Sequence, residues 1–293
     1  MRNKNEVISQ VKKWAKANNN IRVILLTGSR ANPNADKDIF SDFDFTLIVK
    51  EADEMAKDSE WKKEFGHIIT SFNDEINRFG SSTYNRLVLY RDGLKIDFQI
   101  WPEVVLHKIL KEEKLPDVLD IGYEVILDKD GYTEGLLEPS HKTYNIQKPT
   151  EEEYIYKIEN FWWNTTYIVK TLWRDELFFA KYMLDSFTRF EHLKSMIDWY
   201  IGVEYNWNIN TGKLGRHFKK YLTPETWQEV EKTFGDADIE ANWEALFSTI
   251  ELFTKLAKEV GDSLGFEYLE KNEEEMMEYL RKVRNLDNDA NNL

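Results

Sequence analysis

Cysteine is absent from the chain, which excludes disulfides, thiolate catalysis and cysteine-ligated zinc together. Histidine is scarce, with five residues and none in a His-Glu-x-x-His arrangement or another pair at helical spacing, so a histidine-built transition-metal site has no foundation. No apolar run approaches the roughly 20 residues that span a bilayer, and the stretch Met1 to Asn20 lacks the apolar core of a secretory signal. These absences lead to the expectation of a soluble, cytoplasmic protein without membrane contact. Positive charge is also in deficit, 39 Lys and Arg against 53 Asp and Glu, for a formal net charge of −14. That balance opposes a nucleic-acid partner, whose affinity rests on Lys and Arg at phosphates. It favours a cationic partner instead, although acidity also serves solubility alone.

What is present sets the scale. The 293 residues, 42% apolar and 14% aromatic, are enough for two domains with separate cores. Abundant carboxylates are hard oxygen donors and suit Mg²⁺ or Mn²⁺.

Along the chain, Val7, Ile8, Val11, Trp14 and Ala15 mark an amphipathic helix from Glu6 to Ala17. The uninterrupted run Ile21 to Leu26 reads as a buried strand ending at Thr27-Gly28-Ser29-Arg30. Asp42 to Val49 reads as a second strand. Trp61, Phe65, Ile68, Ile69 and Phe72 stand at helical spacing and predict a helix. Leu87 to Tyr90 and Lys95 to Trp101 flank Arg91-Asp92-Gly93-Leu94 as a hairpin, and Glu124 to Leu127 is one more strand, closed by an acidic turn at Asp128 to Gly131 that lacks the further ligands of an EF-hand. Glu138 to Pro149 has linker composition. Beyond it the pattern is helical: a start at Thr150-Glu151-Glu152-Glu153, then helices over Leu177 to Tyr205, Pro224 to Phe234, Ile239 to Val260 and Glu273 to Val283, and a frayed tail after Leu286. The expected domains are 1–145 and 146–293.

Three features carry chemistry. Asp42 and Asp44 lie two apart on a strand, so both carboxylates project from one face while Phe43 and Phe45 enter the core. Their repulsion is relieved by a divalent cation, although an acidic strand end facing water has the same pattern. Gly28-Ser29 permits close backbone approach to a phosphate, with Arg30 able to add a charge-assisted contact, although Gly-Ser is also an ordinary turn. Asp97 occupies the polar face of Lys95 to Trp101; beside the Asp42 strand it would complete a set of three carboxylates able to hold two Mg²⁺ ions, and it could deprotonate an attacking hydroxyl.

A strand, Gly28-Ser29, a spacer, Asp42-Phe43-Asp44 and a later lone Asp97 resemble the DNA polymerase β-type nucleotidyltransferase superfamily. More closely, Leu26 to Arg30, the Asp-aromatic-Asp strand, Lys95 to Phe98, Val125 to Asp130 and Phe161-Trp162…Val169-Lys170…Leu172…Arg174-Asp175-Glu176 resemble the aminoglycoside 6-adenylyltransferases that modify streptomycin. The resemblance implies an α+β protein: an N-terminal nucleotidyltransferase domain with a mixed sheet flanked by helices, then a C-terminal helical bundle. It implies AMP transfer from Mg-ATP to a hydroxyl of a cationic aminoglycoside, with Asp42, Asp44 and Asp97 on metal and Gly28 and Ser29 on phosphate. No nucleic acid and no obligate protein partner are expected. Lys170 and Arg174, four apart on one helix face, would reach the triphosphate together; Lys213 and Lys219 match further basic positions. One departure stands out. Where the family has Asn-Glu before Phe-Trp, this chain has Glu159-Asn160; if the family's glutamate touches the acceptor, that contact shifts to Glu159 or is altered. Trp162, Trp163, Trp173 and Trp199 are candidates to pack on sugar faces, or to fill the core. Two alternatives stay open: a different acceptor, and a non-catalytic nucleotide-sensing or antitoxin-like module.

Overall fold

The computed structural model describes residues 2–268, 270–287, 290 and 292. The chain divides into two compact units, Met1–Tyr144 and Asn145–Leu293; the division falls inside the 138–149 segment of linker composition.

The first unit opens with α1 (Lys4–Ala17), started by a capping box in which the Asn3 side chain accepts from the Glu6 N–H at 3.0 Å and Glu6 accepts from the Asn3 N–H at 2.8 Å. Six strands follow among the described residues: β1 (Ile21–Thr27), β2 (Phe43–Val49), β3 (Ile68–Arg78), β4 (Ser81–Tyr90), β5 (Lys95–Pro102) and β6 (Tyr123–Asp128). They form one sheet in the order β3-β4-β5-β2-β1-β6. The β2/β5 pair is parallel and the other pairs are antiparallel. Short helices α2 (Ala52–Lys57), α3 (Glu103–Ile109) and α4 (Asp117–Asp120) and a 3-10 segment at Glu60–Phe65 complete the unit.

Alternation along the strands gives the sheet two different faces. Phe43, Phe45, Ile96 and Phe98 are buried with Val7 and Val11 of α1 and with Trp61 and Phe65. The opposite face is apolar at one end, where Val23, Leu25, Ile48 and Trp101 pack with Val105, Leu106 and Ile109 of α3 and with Leu119. At its other end it carries Asp44 and Asp97.

The helix predicted across Trp61 to Phe72 does not form. Trp61 and Phe65 are buried from the 3-10 segment, Gly66 breaks it at φ +138°, and Ile68 opens β3, an edge strand paired with β4 over its whole length. Ile69 and Phe72 are exposed on it. The hairpin expected at Arg91 to Leu94 joins β4 to β5.

The second unit is helical. Its helices are α5 (Glu151–Trp173), α6 (Leu177–Lys181), α7 (Lys194–Glu204), α8 (Phe218–Tyr221), α9 (Pro224–Lys232), α10 (Ile239–Leu264) and α11 (Glu270–Arg284). A π-helical segment, Tyr182–Leu193, joins α6 to α7 without a break, so the expected Leu177 to Tyr205 helix changes its winding midway. Thr150 and Glu153 cap α5 reciprocally. The core runs through Tyr154, Phe161, Ile168 and Leu172 of α5, Met196 and Ile201 of α7, and Leu246, Phe253 and Leu256 of α10. Phe161 and Phe253 stack face to face at 3.6 Å. Among the described residues no helix is long and apolar enough to cross a membrane. The tail expected after Leu286 lies mostly outside the described residues.

Candidate functional site

The site is built where β1 ends. Thr27 pairs with Asp44 in the β1/β2 register, and the chain then turns at Gly28 with φ +67° into one 3-10 turn, Gly28–Arg30. The Gly28 carbonyl accepts the N–H groups of Ala31 and Asn32 at 3.2 and 3.1 Å. A Cβ on Gly28 would stand 2.3 Å from Asp44 Oδ2. Glycine is therefore required twice, by the left-handed backbone and by the carboxylate against it.

Parallel pairing of β2 with β5 sets Asp44 directly across from Asp97. Asp42 lies one residue ahead of β2, which begins at Phe43 rather than at Asp42. Lys95 precedes Asp97 by two and so shares its face; its ammonium donates to Asp42 and, at 3.2 Å, to Asp97 Oδ2. Lys95 is not among the candidate site residues named from the sequence, although the same two-residue alternation that selects Asp97 selects it. Arg30 turns toward its own backbone. Its Nε donates to the Asp42 carbonyl at 2.9 Å, its Nη2 to the Ser41 carbonyl at 2.6 Å, and its guanidinium lies 3.9 Å from the Phe43 ring centre. It thus braces the backbone that presents Asp42. Ser29 is partly exposed in the turn.

Crowding acids in a half-buried place raises their proton affinity. Burial, then the charges of Asp97 and Asp42, push the Asp44 carboxyl up to about 7 against the counter-pull of Lys95 and Arg30. Burial also raises Asp97, opposed by Lys95 and reinforced by Asp42. Burial alone would lower Lys95, but hydrogen bonds and charge from Asp42 and Asp97 raise it. Asp97 Oδ1 is buried without a hydrogen-bond partner among the described residues. Among the described residues, no three His, Cys, Asp or Glu side chains form a ready-made metal cage; Lys95 is the charged partner of two of the three acids. The donor set nevertheless fits a hard divalent cation: oxygen ligands only, excess proton affinity at Asp44, and an orphaned carboxylate oxygen at Asp97.

The remaining candidates belong to the second unit. Lys170 sits in the last turn of α5 with its ammonium 4.8 Å from the Tyr167 ring centre, and Arg174 is the C-cap residue, exposed, its N–H on the Lys170 carbonyl at 3.2 Å. Both therefore stand at one helix end. Lys213 opens a turn at Lys213–Gly215, and Lys219 on α8 is exposed, 3.9 Å from Glu231. Trp162 is buried in the core, the Trp173 indole N–H donates to the Leu286 carbonyl at 3.3 Å, and Trp199 packs against the core. Trp163 is 61% exposed, and Glu159 is exposed one turn earlier on the same helix.

A family model described as streptomycin adenylyltransferase matches residues 1–283. An aminoglycoside 6-adenylyltransferase of Campylobacter jejuni is 31% identical over 271 residues, covering 92% of this chain and 91% of that protein. Proteins of the same description from Bacillus subtilis and Staphylococcus aureus are 28% and 27% identical, each over 92% of this chain and over 93% and 94% of their own length. A crystal structure of an aminoglycoside 6-adenyltransferase from Bacillus subtilis aligns over 98% of this chain and 100% of that one, with 23% identity and a TM-score of 0.48. With Gly28 in the turn after β1, Asp44 on β2 and Asp97 on β5, and the family match running through nearly the whole sequence, the chain belongs to the streptomycin adenylyltransferase family.

Proposed function

We propose that this protein transfers AMP from Mg-ATP to the 6-hydroxyl of streptomycin, releasing pyrophosphate and thereby inactivating the antibiotic in the cytoplasm. The observation that carries the reading is the pairing of Asp44 with Asp97 across β2 and β5, with Asp42 joined to the same group through Lys95. Family membership supports the transfer, and the names of the three relatives support an aminoglycoside acceptor.

Asp42, Asp44 and Asp97 would hold Mg²⁺, two ions in our reading, which when bound neutralises triphosphate charge and favours in-line displacement. The protein's own groups do the rest. Gly28 lets the turn approach a phosphate closely, and Ser29 offers its hydroxyl to a phosphate oxygen. Arg30 keeps the Asp42 backbone fixed, so that carboxylate starts in place. Lys170 and Arg174 are assigned to the triphosphate on the strength of the family resemblance and their shared helix end. In the transfer, the acceptor oxygen forms a bond to the α-phosphorus of ATP, the bond from that phosphorus to the bridging oxygen breaks, and pyrophosphate departs. An Asp97 carboxylate oxygen takes the acceptor's proton. Its raised proton affinity suits that role better than an ordinary surface carboxylate would.

Incubating the purified protein with ATP, Mg²⁺ and a panel of aminoglycosides, with pyrophosphate and product mass followed together, tests the reading. Streptomycin should gain one AMP per pyrophosphate released. Transfer to a different acceptor, or none, would replace it.

A further inference from the structure

Strand β3 has one edge in use and one open. It pairs with β4 from Ile68 to Arg78 and ends the sheet, so among the described residues no strand pairs with its outer edge. Residues 69–75 are exposed, Ile69 at 59% and Phe72 at 63%. An open edge is a template for another chain, and proteins ordinarily blunt one with lysine, proline or a short strand. β3 has 11 residues and neither lysine nor proline.

Backbone direction determines which groups are on offer. The Ile76 carbonyl accepts from the Thr83 hydroxyl at 2.8 Å and the Asp74 carbonyl from Arg86 Nη1 at 3.3 Å, both donors on β4. Successive residues of a strand turn their N–H and C=O groups to opposite edges, so Asn73, Glu75 and Asn77 present theirs to the open side. The Glu75 N–H is met there only by the neighbouring Asp74 carboxylate, at 2.9 Å. Asp74, Ile76 and Arg78 share one face. Neither Asp74 nor Arg78 has an ion-pair partner among the described residues, and Arg78 Nε is buried there without a hydrogen-bond partner.

We propose that two copies of this chain associate edge to edge through β3, antiparallel about a two-fold axis at Ile76. Two-fold pairing of a strand with itself sets one residue against its own copy. Only the register centred on Ile76 sets Asp74 against the partner's Arg78, and symmetry makes that pair twice. Ile76 then meets the partner's Ile76 at a pair without hydrogen bonds, where side chains stand closest. Glu75 faces the partner's Asn77, and their outward N–H and C=O groups exchange hydrogen bonds. Registers centred on Asp74 or Glu75 would oppose like carboxylates, which destabilises a pair of strands. The charge pattern of this edge is thus complementary to itself, which is what a contact between identical copies requires. Phe72 continues the same face toward the partner's turn at Gly80, where a Cβ would meet nothing within 4 Å. The inference does not depend on the proposed AMP transfer, because β4 separates β3 from β5 and its Asp97.

Sedimentation velocity of the full chain over a hundredfold span of concentration, from about 1 µM, tests the proposal. A short strand pairing lies at the weak end of protein interfaces, so wild type should pass from monomer to mostly dimer with a Kd on the order of 10 µM. Asp74→Arg and Arg78→Asp each set like charges opposite at both symmetric positions and should each raise that Kd roughly tenfold or more. The double variant Asp74→Arg/Arg78→Asp sets opposite charges together again and should return the Kd to within about threefold of wild type. Far-UV circular dichroism of the same samples reports that each variant is folded. Asp74 is exposed, so Asp74→Arg alone carries the test if Arg78, which lies over the Trp101 ring at 5.5 Å, is needed for folding. A wild type that is monomeric at the highest concentration overturns the proposal. A dimer that the single reversals leave equally tight overturns it by placing the contact elsewhere, and a folded double variant that stays monomeric removes the Asp74–Arg78 register.

Discussion

Asp44 is the residue at which structure and chemistry pull in opposite directions. Its folded proton affinity, pushed up to about 7 from an ordinary value of 3.8, means that the native state binds a proton more tightly than the unfolded chain does. Stability from this group is therefore present below pH 3.8 and lost as pH rises through 7. In the presence of a chelator, Asp44→Asn should be more stable than wild type at pH 8, by up to about 4 kcal/mol, with a smaller gain at pH 5. Asp42→Asn and Asp44→Asn should both abolish AMP transfer at saturating Mg²⁺ while remaining folded. Urea melts at the two pH values and a transfer assay check this; a variant destabilised at pH 8, or one that still turns over normally, counts against the account. Gly28 is the second constraint, because a methyl there meets the Asp44 carboxylate and the backbone is left-handed. Gly28→Ala should cost about 1–2 kcal/mol in stability and on the order of 10²-fold in kcat/KM, as displacement of a catalytic group by about an ångström does. Steady-state kinetics with undiminished kcat/KM would show that the turn has room to spare. That Asp44 and Asp97 share a face was legible from alternation along their strands, whereas the metal role proposed for them came from the family resemblance. The Arg30 contacts were not legible, because a guanidinium that could meet a phosphate equally well meets the Ser41 and Asp42 carbonyls.

Among the elements, those with a local signal could be read in advance and those decided by distant partners could not. The caps of α1 and α5 and the hairpin turn between β4 and β5 are written in adjacent residues. β3 is not, because Trp61, Phe65, Ile68, Ile69 and Phe72 do repeat at helical spacing, and only pairing with β4 makes the last three a strand. The winding of Tyr182–Leu193 is likewise hidden, since the sequence pattern marks a helix but not the register of its hydrogen bonds. That segment carries His192, nearly fully buried, with Nε2 3.0 Å from Asn164 Nδ2 and Nδ1 without a hydrogen-bond partner among the described residues. Burial, and then the nearby Lys157 charge, push its imidazole down to about 4 from 6.5. The neutral ring is thus the native form, and the stability it contributes is complete above pH 6.5 and lost as pH falls toward 4. Between pH 7 and pH 5 wild type should lose about 2 kcal/mol more than His192→Gln. Parallel denaturant titrations at the two pH values measure the difference, and identical acid sensitivity would place the ring in a wetter setting than the structure shows.

At the scale of the molecule, a formal charge of −14 acts on any cation that approaches. If that field helps to recruit the acceptor, streptomycin affinity should fall steeply as ionic strength rises from about 0.02 to 0.5 M, because the Debye length shrinks from beyond the size of the ligand to a few ångströms. Calorimetry across a salt series reads this, and a flat response would leave the acidity to solubility. The separation into a sheet unit and a helical unit could be anticipated from the change of period near residue 150, as could the family from an ordered set of short motifs. The central claim, that the acids of β2 and β5 carry out AMP transfer to streptomycin with Asp97 as the proton acceptor, meets its most direct test in a single-turnover measurement. Enzyme in excess over α-labelled ATP is mixed with streptomycin and Mg²⁺, in wild type and in Asp97→Asn, with Mg-ATP binding measured on the same samples. The account predicts labelled AMP on streptomycin from wild type, and from Asp97→Asn a rate lower by on the order of 10²–10⁴ with Mg-ATP still bound. Full-rate transfer by Asp97→Asn with normal binding would contradict it.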